Sequence, residues 1–214
     1  MVKRALLGVI IAAFATTLVA LADQSPTYSG PLSTSEKTFV QSIQTDLKKR
    51  FPTTADSEKA GYVRYTNEDE TGAISYANLH WESADIRHPS QLWYDKNGNL
   101  LGADFSTANT NSVRPHLFGV NPGRWYAFDD HVHYVLKGAD GKLQYDKYVM
   151  APKFRAAGGD PQHPTAAQLV KMGRAKDSSQ IVTVFDMPSI WDLIVWVKPN
   201  PSGAFAEKNP LVKP

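Results

Sequence analysis

Trp125-Tyr126-Ala127-Phe128-Asp129-Asp130-His131-Val132-His133-Tyr134-Val135-Leu136-Lys137 is the stretch on which the fold reading turns. Side chains alternate across an extended chain. Val132, Tyr134 and Leu136 therefore point one way, and His131, His133 and Val135 the other. The first set reads as a core face. The second is the one place in the sequence where two histidines must share a face. The strand is expected to turn at Lys137-Gly138-Ala139-Asp140-Gly141-Lys142 and return over Leu143 to Met150 as a hairpin.

The same period of two recurs on both sides of this stretch. Tyr62–Tyr65 and Ile74–Trp81 are expected to form a hairpin across the polar turn from Asn67 to Gly72. Asn97-Gly98, between two apolar runs, predicts a second hairpin. Its Asp95-x-Asn97-x-Asn99 spacing resembles the start of a calcium loop. Leu100 stands where the sharp turn needs Gly, and Ser106 where the loop needs Glu, so the segment reads as a turn. Ile181–Phe185 and Leu193–Val197 are strongly apolar and flank a tight Asp186–Ser189 connection. Both are expected to be central in the sheet.

Helical signals are fewer. Ser33 and Glu36 have capping-box spacing, and Phe39, Val40, Ile43 and Leu47 fall on one stripe before Pro52. This predicts an amphipathic helix over Thr34–Arg50. A second short helix is expected after Pro164, ended by Gly173. Together these elements predict an α+β domain over residues 34–198. A mostly antiparallel sheet of about six to eight strands is covered by the N-terminal helix. Residues 23–33 read as an extended leader, and residues 199–214 as a Pro-rich C-terminal tail. Asp85-x-x-His88-Pro89-Ser90 and Asp160-x-x-His163-Pro164-Thr165 echo each other, which a shared turn solution explains.

Residues 1–22 have the form of a secretory signal peptide: Lys3 and Arg4, an apolar run from Ala5, then Ala20-Leu21-Ala22. Lys3 and Arg4 carry the whole formal charge excess of +2. From Asp23 onward the chain is formally neutral, so it lacks the concentrated positive charge that captures nucleic acid or an anionic membrane. With no cysteine, there is no disulfide framework, thiol nucleophile or thiolate metal site. The expectation is a periplasmic or secreted protein of bacterial type, with no nucleic-acid partner and no membrane association after signal cleavage.

No Gly-x-Ser-x-Gly elbow, His-Glu-x-x-His helix or phosphate-cradling glycine loop is present. The imidazoles are the remaining source of chemistry. His131 and His133 are expected roughly 6–7 Å apart along one strand face. His80 and Glu82, sharing a face of another strand, and His116, on the long 106–124 loop, could complete a site for Cu, Zn or Fe. His131-x-His133 resembles the first motif of cupin metal sites over three residues. It departs from that motif at Lys137-Gly138, where the Glu is missing, so nothing more of that family is carried over. Two functions are therefore expected. One is a non-catalytic module that binds a small ligand or partner through the sheet and its two long loops. The other is a transition-metal protein or metalloenzyme built on the His pair. The five tryptophans read as core residues.

Overall fold

Asp129 and Asp130 divide the Trp125–Lys137 stretch between two sheets. The computed structural model describes residues 25–80 and 85–214. The expected signal segment, Trp81 and Glu82 lie outside the described residues.

In chain order the helices are α1 (Thr34–Arg50), α2 (Thr54–Lys59), α3 (Ala151–Ala156) and α4 (Ala166–Lys171). The strands are β1 (Val63–Arg64), β2 (Ile74–Ala77), β3 (Gln91–Tyr94), β4 (Leu100–Ala108), β5 (Tyr126–Phe128), β6 (His131–Lys137), β7 (Leu143–Met150), β8 (Ile181–Met187) and β9 (Ile190–Trp196). Six of them form one antiparallel sheet in the order β1-β2-β3-β4-β9-β5, and three form a second in the order β7-β6-β8. The architecture is α+β and antiparallel, as the periodicity predicts. Among the described residues no helix is long and apolar enough to cross a membrane.

The expected single sheet is corrected in two places. The backbone carbonyl of Asp130 accepts the Ala151 N–H at 3.0 Å, and its carboxylate pairs with Arg155 at 2.5 Å. The chain is thus held at this corner and starts a new ladder at His131. The two apolar strands β8 and β9 also part company. β8 pairs with β6 at the edge of the small sheet, whereas β9 lies between β4 and β5 in the large one. Exposure of Val182, at 53%, marks β8 as an edge strand.

The Ser33–Glu36 capping box forms as the spacing requires. Phe39, Val40, Ile43 and Leu47 of α1 enter one apolar cluster with Leu92, Phe105, Trp191, Leu193 and Val195. That cluster occupies one face of the large sheet. Glu36 does more than cap. Its buried carboxylate accepts from Arg124 Nε at 2.7 Å, from Ser33 N–H at 2.8 Å and from Asn121 N–H at 3.1 Å. Burial alone would raise the Glu36 pKa. The hydrogen bonds from Arg124, Ser33 and Asn121 outweigh it and hold the group at about 2. Arg124 also donates to the Gly30 and Pro31 carbonyls, which anchors the leader.

The long 106–124 segment is shorter as a loop than expected, because β4 runs to Ala108. Its Phe118 stacks on Phe39 at 5.2 Å, so the segment covers the α1 side of the molecule. The tail also packs. Phe205 joins the α1-side cluster, Val212 joins the cluster on the other face, and Ala206 accepts the Trp196 Nε1–H. The repeated Asp-x-x-His-Pro pattern makes the same turn twice. His88 Nδ1 lies 2.7 Å from Asp85, and His163 Nδ1 lies 2.9 Å from Asp160.

Candidate functional site

The face of the large sheet turned away from α1 is the floor of a cleft of about 390 Å³. Strand register arranges this floor in rows. One row runs Ser75–Trp93–Gly102–Trp196, and the next Ala77–Gln91–Asp104–Ile194. A third is Ser106–Asp192–Tyr126. Asp104 and Asp192 are therefore diagonal neighbours on adjacent strands, close enough for like charges to repel. Trp93 and Trp196 meet edge to face at 5.4 Å. Only glycine fits between them, since a Cβ on Gly102 would stand 2.8 Å from Trp93 Cε3 and 2.8 Å from the Val195 carbonyl.

The small sheet supplies one wall through His131, His133 and Met187. The 65–71 segment bridges the sheets: the Tyr65 carbonyl accepts the Asp146 N–H at 3.1 Å, and the Asp146 carboxylate accepts the Asn67 N–H at 2.9 Å. Asp146 reaches that segment from a bulge in β7, where it adopts φ +57°. The Tyr65 hydroxyl donates to Gln91 Oε1. Burial, then the charges of Asp104 and Asp192, push the Tyr65 pKa up, so it remains a donor.

Both floor carboxyls are almost fully buried, Asp104 at 4% exposed and Asp192 at 3%. Asp104 Oδ2 accepts from Trp93 Nε1 at 2.9 Å, and its Oδ1 has no hydrogen-bond partner. Burial, then the neighbouring Asp192 charge, hold the Asp104 pKa well above the ordinary carboxylate value. Burial raises Asp192 to about 7, against the Ser106 hydroxyl and the Leu193 N–H, which lower it. Proton counting supports that direction. Asp192 Oδ1 to Ser106 Oγ is 2.8 Å, Ser106 Oγ to Ser90 Oγ is 2.5 Å, and Ser90 Oγ to the Asp104 carbonyl is 3.1 Å. These are three hydrogen-bond contacts, and the two serines have one proton each. When Asp192 is ionised, Ser106 donates to it, Ser90 Oγ–H donates to Ser106, and the Asp104 carbonyl keeps only its bond from the Ser90 N–H, at 2.9 Å. When Asp192 is protonated, it donates to Ser106, Ser106 donates to Ser90, and Ser90 donates to the Asp104 carbonyl, so all three contacts are made.

The His pair is assembled as the alternation predicts, although the rings converge. Nε2 of His131 lies 2.9 Å from Nε2 of His133. His131 Nδ1 is 2.5 Å from the Asp129 carbonyl, which can only accept, so that nitrogen carries a proton. In a neutral His131 the Nε2 is then a lone pair, and His133 Nε2–H donates to it. Nδ1 of His133 is left without a hydrogen-bond partner, and the Lys147 carbonyl is the group that would meet a proton placed there. Burial, then His131, lower the His133 pKa to about 3. His133 is further fixed by Tyr65, edge-on at 4.9 Å, and by Phe185, stacked at 5.5 Å.

His80 and His116 are exposed and do not line the cleft. Glu82 lies outside the described residues. Among the described residues, no group of three or more His, Asp or Glu side chains is arranged to hold a metal ion. Neither the 106–124 segment nor the 151–163 segment, the second long loop expected from the sequence, lines the cleft. The carboxyl pair, Tyr65 and Gln91 escape a reading based on histidines. The signal for the carboxyls was nonetheless present: Asp104 stands between Ala103 and Phe105, and Asp192 between Trp191 and Leu193. Each is a lone acid in a strongly apolar strand. No family model, curated protein or solved structure matches this chain.

Proposed function

We propose that this protein is a small-molecule-binding module whose ligand sits in the cleft between the large sheet and the His131–His133 strand. The observation that carries the reading is a pair of buried carboxyls, one with an unpartnered oxygen, in the floor of a cavity of ligand size. Trp93, Trp196, Phe128, Ile190 and Ile194 give the cleft apolar surface beside its acids and histidines, a mixture that can hold an apolar body and orient it by a polar end. His133, held near pKa 3, is far from the range of an effective base at neutral pH and serves the cleft as a wall. The form of residues 1–22 supports a site of action outside the cytoplasm.

Ligand-observed NMR with a library of small aromatic fragments tests the proposal, using the wild type and Ser75→Phe, which fills the floor beside Trp93. Fragments should contact the wild type and lose contact in the variant. Absence of any fragment contact, or equal contact with Ser75→Phe, would refute it.

A further inference from the structure

We infer that the ligand is a primary or secondary ammonium on an apolar body, with its N–H groups directed to Asp104 and Asp192 and its body against Trp93 and Trp196. This rests on the small-molecule reading above and names its chemical class.

Charge points the same way around the cleft. The ionisable side chains lining it are Asp69, Glu70, Asp104, Asp192 and Glu207, with Tyr65 and the two histidines, and no Lys or Arg is among them. At the rim, Glu70 is neutralised by Lys208 at 2.5 Å, and Asp69 is occupied in capping its own turn. Asp104 and Asp192 have no cationic partner. An anionic ligand would meet these carboxyls with no positive group to receive it. A neutral apolar ligand would leave the pair buried and uncompensated, which is costly.

Hydrogen-bond accounting narrows the cation further. Asp104 is more than nine-tenths buried, and its Oδ1 lacks a donor although Oδ2 has Trp93. An N–H donor repairs that deficit. A quaternary ammonium has none to offer. An indole face attracts a cation attached to an apolar group, and Trp93 and Trp196 both line the cleft beside the pair. Protons compete for the same place, because the pair holds one near neutral pH. The groups facing it across the cleft are Tyr65, which stays protonated, His133, which stays neutral, and His131, which is hydrogen-bonded to His133. Ammonium binding should therefore strengthen as pH rises through about 7.

Calorimetric titration of the full chain with four probes distinguishes the possibilities. The probes are 2-phenylethylamine, 2-phenylethanol, 3-phenylpropanoate and trimethyl(2-phenylethyl)ammonium. At pH 8 the amine should bind roughly tenfold or more tightly than each of the others. Lowering the pH to 5.5 should weaken it by about tenfold, within the range a one-proton competition allows. Asp104→Asn, which keeps the shape of the side chain and should remain folded, should erase the preference for amine over alcohol. If the alcohol or the carboxylate binds as well as the amine, the cleft takes small molecules but the ammonium assignment is overturned. Equal binding of the trimethyl probe overturns the donor requirement. If none of the four probes binds at either pH, the small-molecule reading falls, and the inference with it.

Discussion

Replacing Asp192 by Asn should stabilise the protein at alkaline pH and do almost nothing at acid pH. The carboxyl is raised from 3.8 to about 7 by folding. Its contribution is fully present below the unfolded value and is lost as pH rises through the folded one. The difference is about three pH units at about 1.4 kcal/mol each, an upper bound of about 4 kcal/mol of destabilisation at pH 8. Relaxation around the site will reduce that, so a gain of about 2–4 kcal/mol is expected for Asp192→Asn. Asparagine has nearly the same shape. It keeps an oxygen to accept from Ser106 and removes the charge that raises Asp104.

His133 must be separated from this effect, because it acts with the opposite sign. Its pKa is lowered from 6.5 to about 3, so it costs stability as pH falls below the unfolded value. The wild-type profile sums these two with the lowered carboxyls, Glu36 among them. The difference between variant and wild type isolates Asp192. Urea unfolding followed by tryptophan fluorescence at pH 8, 6 and 4 reads it directly. The gain should shrink through pH 6 and vanish near pH 4. A gain that does not change with pH, or a loss at pH 8, would refute the reasoning.

Glu36→Ala should cost about 3–5 kcal/mol in the same assay, since it leaves Arg124 buried at 5% exposure without its partner. Gly102→Ala should cost about 1–3 kcal/mol by forcing Trp93 from Trp196, seen as a shift in near-ultraviolet circular dichroism. His133→Phe should retain the packing on Tyr65 and Phe185 and flatten the loss of stability between pH 6.5 and 4. An unaltered acid limb in that variant would show that His133 is not the buried neutral group responsible.

Much of the fold is legible wherever a local rule and the tertiary packing agree. The Thr34–Arg50 helix has a capping box, an apolar stripe and a basic last turn, and all of these point to the same boundaries. The Asn97-Gly98 hairpin forms with Gly98 at φ +78° and the Asp95 carboxylate accepting the Asn97 and Asn99 N–H groups. Alternation placed Val132 and Tyr134 in one core and His131 with His133 on the opposite face. Partnering of strands was less visible, because β8 and β9 are equally apolar. What sends them to different sheets is pairing with distant segments, with β6 in one case and with β4 in the other. The site was half legible for a related reason. A His-x-His pair declares itself within three residues, whereas Asp104 and Asp192 are 88 positions apart and become a pair only through the β4–β9 register.

That register also explains why the carboxyl pair is difficult to regard as packing alone. The positions opposite and beside Asp104 are Gln91 and Ile194, and an apolar residue at 104 would continue the cluster of Trp93, Leu101, Ile194 and Trp196. Burying an acid there instead destabilises the empty protein, with no internal cation to offset it. Glu36 shows the alternative within the same chain: a buried carboxylate given Arg124 and two backbone donors, with its pKa held low. Glu36 is fully satisfied, whereas Asp104 keeps an unpartnered oxygen and neither member of its pair meets a cation. The satisfied one joins helix, leader and loop on the α1 side. The Asp104–Asp192 pair lies on the opposite face of the large sheet, in the floor of the cleft. A ligand that supplies N–H donors and positive charge would complete for Asp104 and Asp192 what Arg124 completes for Glu36.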